Sequence, residues 1–155
     1  MNPLRIALVA HDHCKADLLT WTQKHQAALL PHQLICTGTT GKLLQQHLGP
    51  KAQIERLKSG PLGGDQQMGA RIAEGYIDLI VFLWDPMRAQ PHDVDVKALL
   101  RLSVVYNIPT ACNIATADFL LQSACFGHYV RETRDYTAYL QREALMRDEG
   151  SQLRD

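Results

Sequence analysis

The chain reads as a single α/β domain on a mainly parallel five-stranded sheet with helices on both faces. Three observations predict this. Short apolar runs alternate with helical patterns along the whole length. The most hydrophobic run, Leu79–Trp84, contains no polar residue, the pattern of a strand buried on both faces. Each run is followed by a polar or glycine-rich turn before the next helical pattern.

In chain order, the strands are Ile6–Ala10, Leu34–Cys36, the weaker Ile54–Leu57, Ile77–Trp84, and Thr110–Cys112 after Pro109. Leu18, Trp21, His25, Ala28 and Leu29 share a helical face that Pro31 ends. Short helices are expected over Gly41–His47 and Asp65–Glu74, the second stopped by Gly75. Val96, Leu99, Leu100 and Val104 share a face of the next helix. Leu102 and Val105 lie elsewhere on it, so it can also serve a subunit contact. A helix over Ala117–Ser123 follows. From Asp135 a charged helix leads into a polar end, about 148–155, that frays.

At 155 residues the chain fits one domain spanning 1–155, burying roughly 70% of its unfolded surface. Sixteen basic residues balance sixteen acidic ones, and no basic stripe suggests a nucleic-acid partner. Cys14, Cys36, Cys112 and Cys125 are dispersed, which fits reduced thiols in the cytoplasm. The first apolar run is too short for a signal peptide, and no run approaches the ~18 residues of a membrane span.

Polar residues gather where strands end. The five exits carry His11-Asp12-His13-Cys14-Lys15, Thr37–Lys42, Ser59–Asp65, Asp85 with Pro91-His92-Asp93, and Asn113 with Thr116 and Asp118. Open parallel sheets bind ligands outside the carboxyl ends of their strands, so the five clusters point to one site. Two of these loops suit an anion. Thr37, Gly38, Thr39 and Thr40 bring hydroxyls and backbone N–H groups to a helix start. The glycines after Ser59 let main chain approach a ligand closely. Lys15 adds a cation. The same residues also serve as ordinary caps and turns. Neither a P-loop nor a dinucleotide fingerprint is present. His11 and His13 could form a metal pair with Cys14, Asp85 or Asp95, yet no second ligand pair accompanies them.

Taken together, Ala10–Lys15, Thr37–Gly41, Ser59–Gln67, Phe82–Pro86, Pro91–Arg101 and Asn113–Asp118 resemble the methylglyoxal synthase family, in order, from about Ile6 to Ser123. The resemblance implies a three-layer α/β/α sandwich of Rossmann-like type. It implies a cofactor-free carbon–oxygen lyase that makes methylglyoxal and orthophosphate from dihydroxyacetone phosphate. It also implies a homo-oligomer, typically a hexamer, that orthophosphate inhibits allosterically. By matching motifs, His11, Lys15, Thr37, Gly38, Thr39, Thr40, Ser59 and Gly60 bind substrate. Asp65 is the base, and His92 contacts the substrate oxygens. Asp85 stands nearby, suited to orienting His92 or a phosphate-loop donor, with Asp12 and Asp95 in support. The match ends near Phe126. Arg142 and Arg147 are the candidates for the family's C-terminal arginine that reaches a neighbouring site.

Among the three acids that compete for the base, Asp12 is flanked by histidines and near Lys15, and Asp85 precedes Pro86. Asp65 alone follows a glycine pair that lets its carboxylate meet a small substrate, although an N-cap is its plain alternative role. Three other functions remain: a regulatory binding module of the same fold, a metal hydrolase using His11 and His13, and an isomerase of the same triose phosphate.

Overall fold

The computed structural model describes residues 3–89 and 92–142. Its strands are β1 (Arg5–Ala10), β2 (Gln33–Cys36), β3 (Gln53–Arg56), β4 (Leu79–Leu83) and β5 (Thr110–Ala111). Its helices are α1 (Lys15–Lys24), α2 (Gln26–Leu29), α3 (Gly38–Leu48), α4 (Gly64–Ala73), α5 (Asp93–Val105) and α6 (Ile114–Gln122). Residues 137–142 are also helical. The strand order is β3-β2-β1-β4-β5, and every pairing is parallel.

The strands alternate their side chains between two cores, so the sheet is the middle of three layers. Ile6, Leu8, Leu34 and Val81 face Leu18, Trp21, Leu44 and Ala117 of α1, α3 and α6. Ala7, Val9, Ile35, Ile80 and Phe82 face Met68 and Ile72 of α4 and Val96 and Leu99 of α5. This is the expected α/β/α sandwich, with a sheet that is wholly parallel. The chain runs outward from β1 through β2 to β3, then returns to the other side of β1 for β4. That reversal makes the carboxyl ends of β1 and β4 the switch point where such folds open a crevice.

Several local expectations change. The first helix breaks at His25, which has φ −106° and ψ 18°, and restarts as α2. On α5 the buried positions are Val96, Leu99 and Ser103, while Val104 is exposed. A period of 3.6 returns to the Val96 face after seven residues, and Ser103 fits there because its hydroxyl donates to Leu100 O. The helix placed at Gly41 begins at Gly38, so Thr39 and Thr40 lie in its first turn. The α4 helix ends as expected, with Gly75 at φ +74°. Pro91, Arg147 and the 148–155 end lie outside the described residues. Among the described residues, no helix is long and apolar enough to cross a membrane.

Candidate active site

A cleft of about 230 Å³ opens at the switch point, with Val9 and Ala10 of β1 and Phe82 of β4 at its floor. His11, Asp12, Lys15, Thr37, Thr39, Ser59, Gly60, Pro61, Asp65 and His92 complete its lining. The volume lies below the roughly 300–1,000 Å³ of drug-sized pockets and suits a small metabolite. Four of the five strand-exit clusters converge here. The fifth does not, because β5 is an edge strand. Asn113 caps α6 by accepting from Thr116 N, and Asp118 bonds Trp21, Lys24 and His25.

Asp65 is 4% exposed, and its Oδ2 has no hydrogen-bond partner among the described residues. It makes no cap: Gly63 is the N-cap of α4, with φ +94°, and among the described residues that cap carries no side-chain hydrogen bond. Glycines deliver the carboxylate. Gly63 takes the left-handed turn, and a Cβ on Gly64 would stand 2.0 Å from Lys58 O. Burial pushes the Asp65 carboxyl above its usual range. His92 pulls it down, and the like charge of Asp95 pushes it up.

Two imidazoles lie beside Asp65. His92 Nε2 stands 3.7 Å from Asp65 Oδ2, too far for a hydrogen bond, and its Nδ1 is buried without a partner among the described residues. His11 packs edge-on against both His92 and Phe82. The Asp85 N–H donates to His11 Nδ1 at 3.2 Å. That bond makes Nδ1 the acceptor and leaves the proton on Nε2, which is buried and without a partner among the described residues. Burial first, then His92, pushes the His11 pKa below its usual value, favouring the neutral ring.

On the cleft's other side, Lys15 Nζ donates to Asp12 Oδ1 at 2.5 Å and to Thr39 Oγ1 at 2.6 Å. The hydrogen bond from Lys15 holds the Asp12 carboxyl below its usual range. Thr37 is the N-cap of α3, and the N–H groups of Thr39 and Thr40 lie in the first turn, where a helix supplies no internal partner. This arrangement has the donors to take an anion.

Four expected residues stand differently. The Gly38 N–H is taken by Lys58 O at 3.0 Å, so Gly38 acts by size: a Cβ would lie 2.8 Å from Ser59 N. Thr40 is buried, its Oγ1 has no partner among the described residues, and it lies outside the cleft lining, because the early helix start turns it inward. Asp85 does not line the cleft or orient His92. Its carboxylate accepts from Met87 N at 2.9 Å and lies 3.8 Å from Arg88 Nε, and its main chain orients His11 instead. Asp95 also lies outside the lining and acts on Asp65 through charge.

His11 and His13 do not converge. The His13 ring is exposed and meets Arg88 at 2.6 Å, while His11 is buried in the cleft. Among the described residues, no group of three His, Cys, Asp or Glu side chains is placed to hold a metal. Phe82 lines the cleft as well, and in the sequence it stood only within an apolar strand and the Phe82–Pro86 segment, with no sign of a role in the site. The sequence reading missed the Asp85 N–H, a main-chain donor with no sequence signal.

The MGS-like domain family model matches residues 17–112. The methylglyoxal synthase of Oleidesulfovibrio alaskensis is 56% identical over 138 residues, covering 88% of this chain and 93% of that protein. The methylglyoxal synthase of Cellvibrio japonicus is 56% identical over 140 residues, covering 90% of each. The crystal structure of methylglyoxal synthase from Elizabethkingia anophelis superposes with a TM-score of 0.83 at 56% identity, covering 90% of this chain and 91% of that one. With the fold, the cleft and these relatives in agreement, the chain belongs to the methylglyoxal synthase family.

Proposed function

We propose that the chain eliminates orthophosphate from dihydroxyacetone phosphate, with Asp65 as the base. The observation that carries this reading is the buried Asp65 carboxylate, unpartnered at Oδ2 and facing His92 across a small cleft with an anion cradle. A raised carboxyl pKa suits a base working near neutral pH.

The steps follow from the residue types. The phosphate sits against Lys15 and the first turn of α3. Asp65 takes a proton from C3, and the C3–H electron pair forms the C2–C3 double bond of an enediolate. His11 Nε2–H donates to the developing oxyanion, as a neutral imidazole can without fully protonating it. His92 moves the proton between the two substrate oxygens. The enediolate then collapses, the C1–O bond breaks, and orthophosphate leaves with that electron pair. The remaining enol gains a proton at its terminal carbon as its hydroxyl loses one, giving methylglyoxal, and the proton that Asp65 took passes to the departing phosphate. Elimination requires the C1–O bond to stand out of the enediolate plane, so the phosphate cradle also sets the torsion. No step calls for a metal or cofactor.

The reading extends to a cytoplasmic homo-oligomer, a hexamer, that orthophosphate inhibits allosterically and that bypasses part of glycolysis. Exposed Val94 and Val104 on α5, and Tyr129, Val130 and Tyr139 beyond α6, supply apolar surface for such contacts. The direct test incubates purified protein with dihydroxyacetone phosphate. Methylglyoxal with stoichiometric orthophosphate is the expected outcome. Glyceraldehyde phosphate would make the protein an isomerase, and no turnover would favour a binding module.

A further inference from the structure

Arg88 meets His13 at the rim of the cleft, outside the groups that act on the substrate. Its Nη1 donates to His13 Nε2 at 2.6 Å, and both side chains are exposed. A guanidinium carries only donors, so that ring nitrogen accepts and the imidazole proton sits on Nδ1. The neighbours of the pair belong to the site: Asp12 lines the cleft, and the Asp85 N–H holds His11. The Asp85 carboxylate stands 3.8 Å from Arg88 Nε, too far for a hydrogen bond, so it does not cap the guanidinium. We propose that Arg88 is a covalent capture site for methylglyoxal, with His13 as the base that frees the guanidine. The proposal rests on the chain making methylglyoxal, which then leaves the cleft beside this pair.

A guanidinium must give up a proton before it can attack a carbonyl, and an adjacent base supplies that step. His13 Nε2 takes the proton from Nη1, whose freed electron pair attacks the aldehyde carbon. The C–N bond forms as the carbonyl π pair moves to oxygen, which gains the proton from His13. A second guanidine nitrogen adds to the ketone carbon in the same way, closing a dihydroxyimidazolidine. Loss of one water and tautomerisation leave a hydroimidazolone, with no oxidant or reductant consumed. The other arginines are held differently. The hydrogen bonds that Arg5 gives Asp78 push the Arg5 pKa up and keep it charged. Arg71 pairs with Glu55, and Arg131 donates to Ile77 O, a carbonyl with no basicity. Among the described residues, Arg88 alone of the arginines donates to an imidazole.

The test adds methylglyoxal itself to the purified full chain and follows each arginine by peptide mass spectrometry. Its outcome therefore does not depend on whether the chain turns over dihydroxyacetone phosphate, which the product assay above decides separately. Arg88 should gain the mass of methylglyoxal less one water about tenfold or more faster than the exposed Arg101, as a positioned base allows. His13→Gln keeps a hydrogen-bond acceptor beside Arg88 but no base. It should slow Arg88 to the Arg101 rate and leave Arg101 itself unchanged. Equal rates at Arg88 and Arg101 in the wild type, or an Arg88 rate in His13→Gln equal to that of the wild type, would each overturn the proposal.

Discussion

Asp65 Oδ2 and His92 Nε2 face each other at 3.7 Å, and only the missing side chain of Gly60 keeps the space beside them open. A Cβ on Gly60 would stand 3.0 Å from Asp65 Oδ2 and 3.2 Å from His92 Nε2. Gly60 has no positive φ, so the backbone itself accepts alanine. Gly60→Ala should therefore lower turnover by pushing Asp65 and His92 aside by a few tenths of an ångström, a loss smaller than the roughly 10²-fold of a full 1 Å misplacement. The melting temperature should change little. Comparing kcat with thermal unfolding checks both halves.

Asp65 should cost stability at neutral pH. Its folded-state pKa is raised above the ordinary value by burial. Such a group adds stability while protonated, fully so below its unfolded pKa, and loses it as pH rises through the folded value. The ionised carboxylate is thus a burden that Asn does not carry. Thermal unfolding should show Asp65→Asn more stable than wild type at neutral pH, with the gap narrowing as pH falls through the raised folded value and closed below 3.8, the ordinary aspartate value.

Lys15 is the cation of the proposed anion cradle. Lys15→Ala should weaken substrate and orthophosphate by roughly 10- to 100-fold, the equivalent of the roughly 1.5–3 kcal/mol of a charged hydrogen bond. Michaelis and inhibition constants for the variant read this directly, and kcat at saturation should fall less than affinity.

Assembly is a further expectation. Sedimentation at assay concentration should give a homo-oligomer, and orthophosphate should make the substrate curve sigmoidal, as linked sites in a symmetric assembly allow. A monomer would remove both.

Much of this was legible in the residues. The run Leu79–Trp84 announced a central strand because β4 is buried on both faces. Asp65 stood out because a glycine pair precedes it, and those glycines do bring its carboxylate into the cleft. What was not legible depends on tertiary position. Asp118 looked like a site residue at a strand exit, yet the edge position of β5 hands it to Trp21 and His25. Asp85 looked like an acid for catalysis, but its carboxylate folds the following turn and its N–H serves His11. Thr40 differed because α3 begins one turn earlier than glycine and threonine propensities suggest. That start is anchored by the Gly38 N–H on Lys58 O, a contact between distant segments.

The central claim is that Asp65 removes the C3 proton. The measurement that meets it most directly follows dihydroxyacetone phosphate in deuterium oxide by NMR, with wild type and Asp65→Asn, while monitoring methylglyoxal. Asp65→Asn should stay folded and bind orthophosphate, lose C3 exchange, and lose about 10²- to 10⁴-fold in turnover. A folded Asp65→Asn variant that exchanges the C3 proton at the wild-type rate would contradict the account and move the base to another carboxylate.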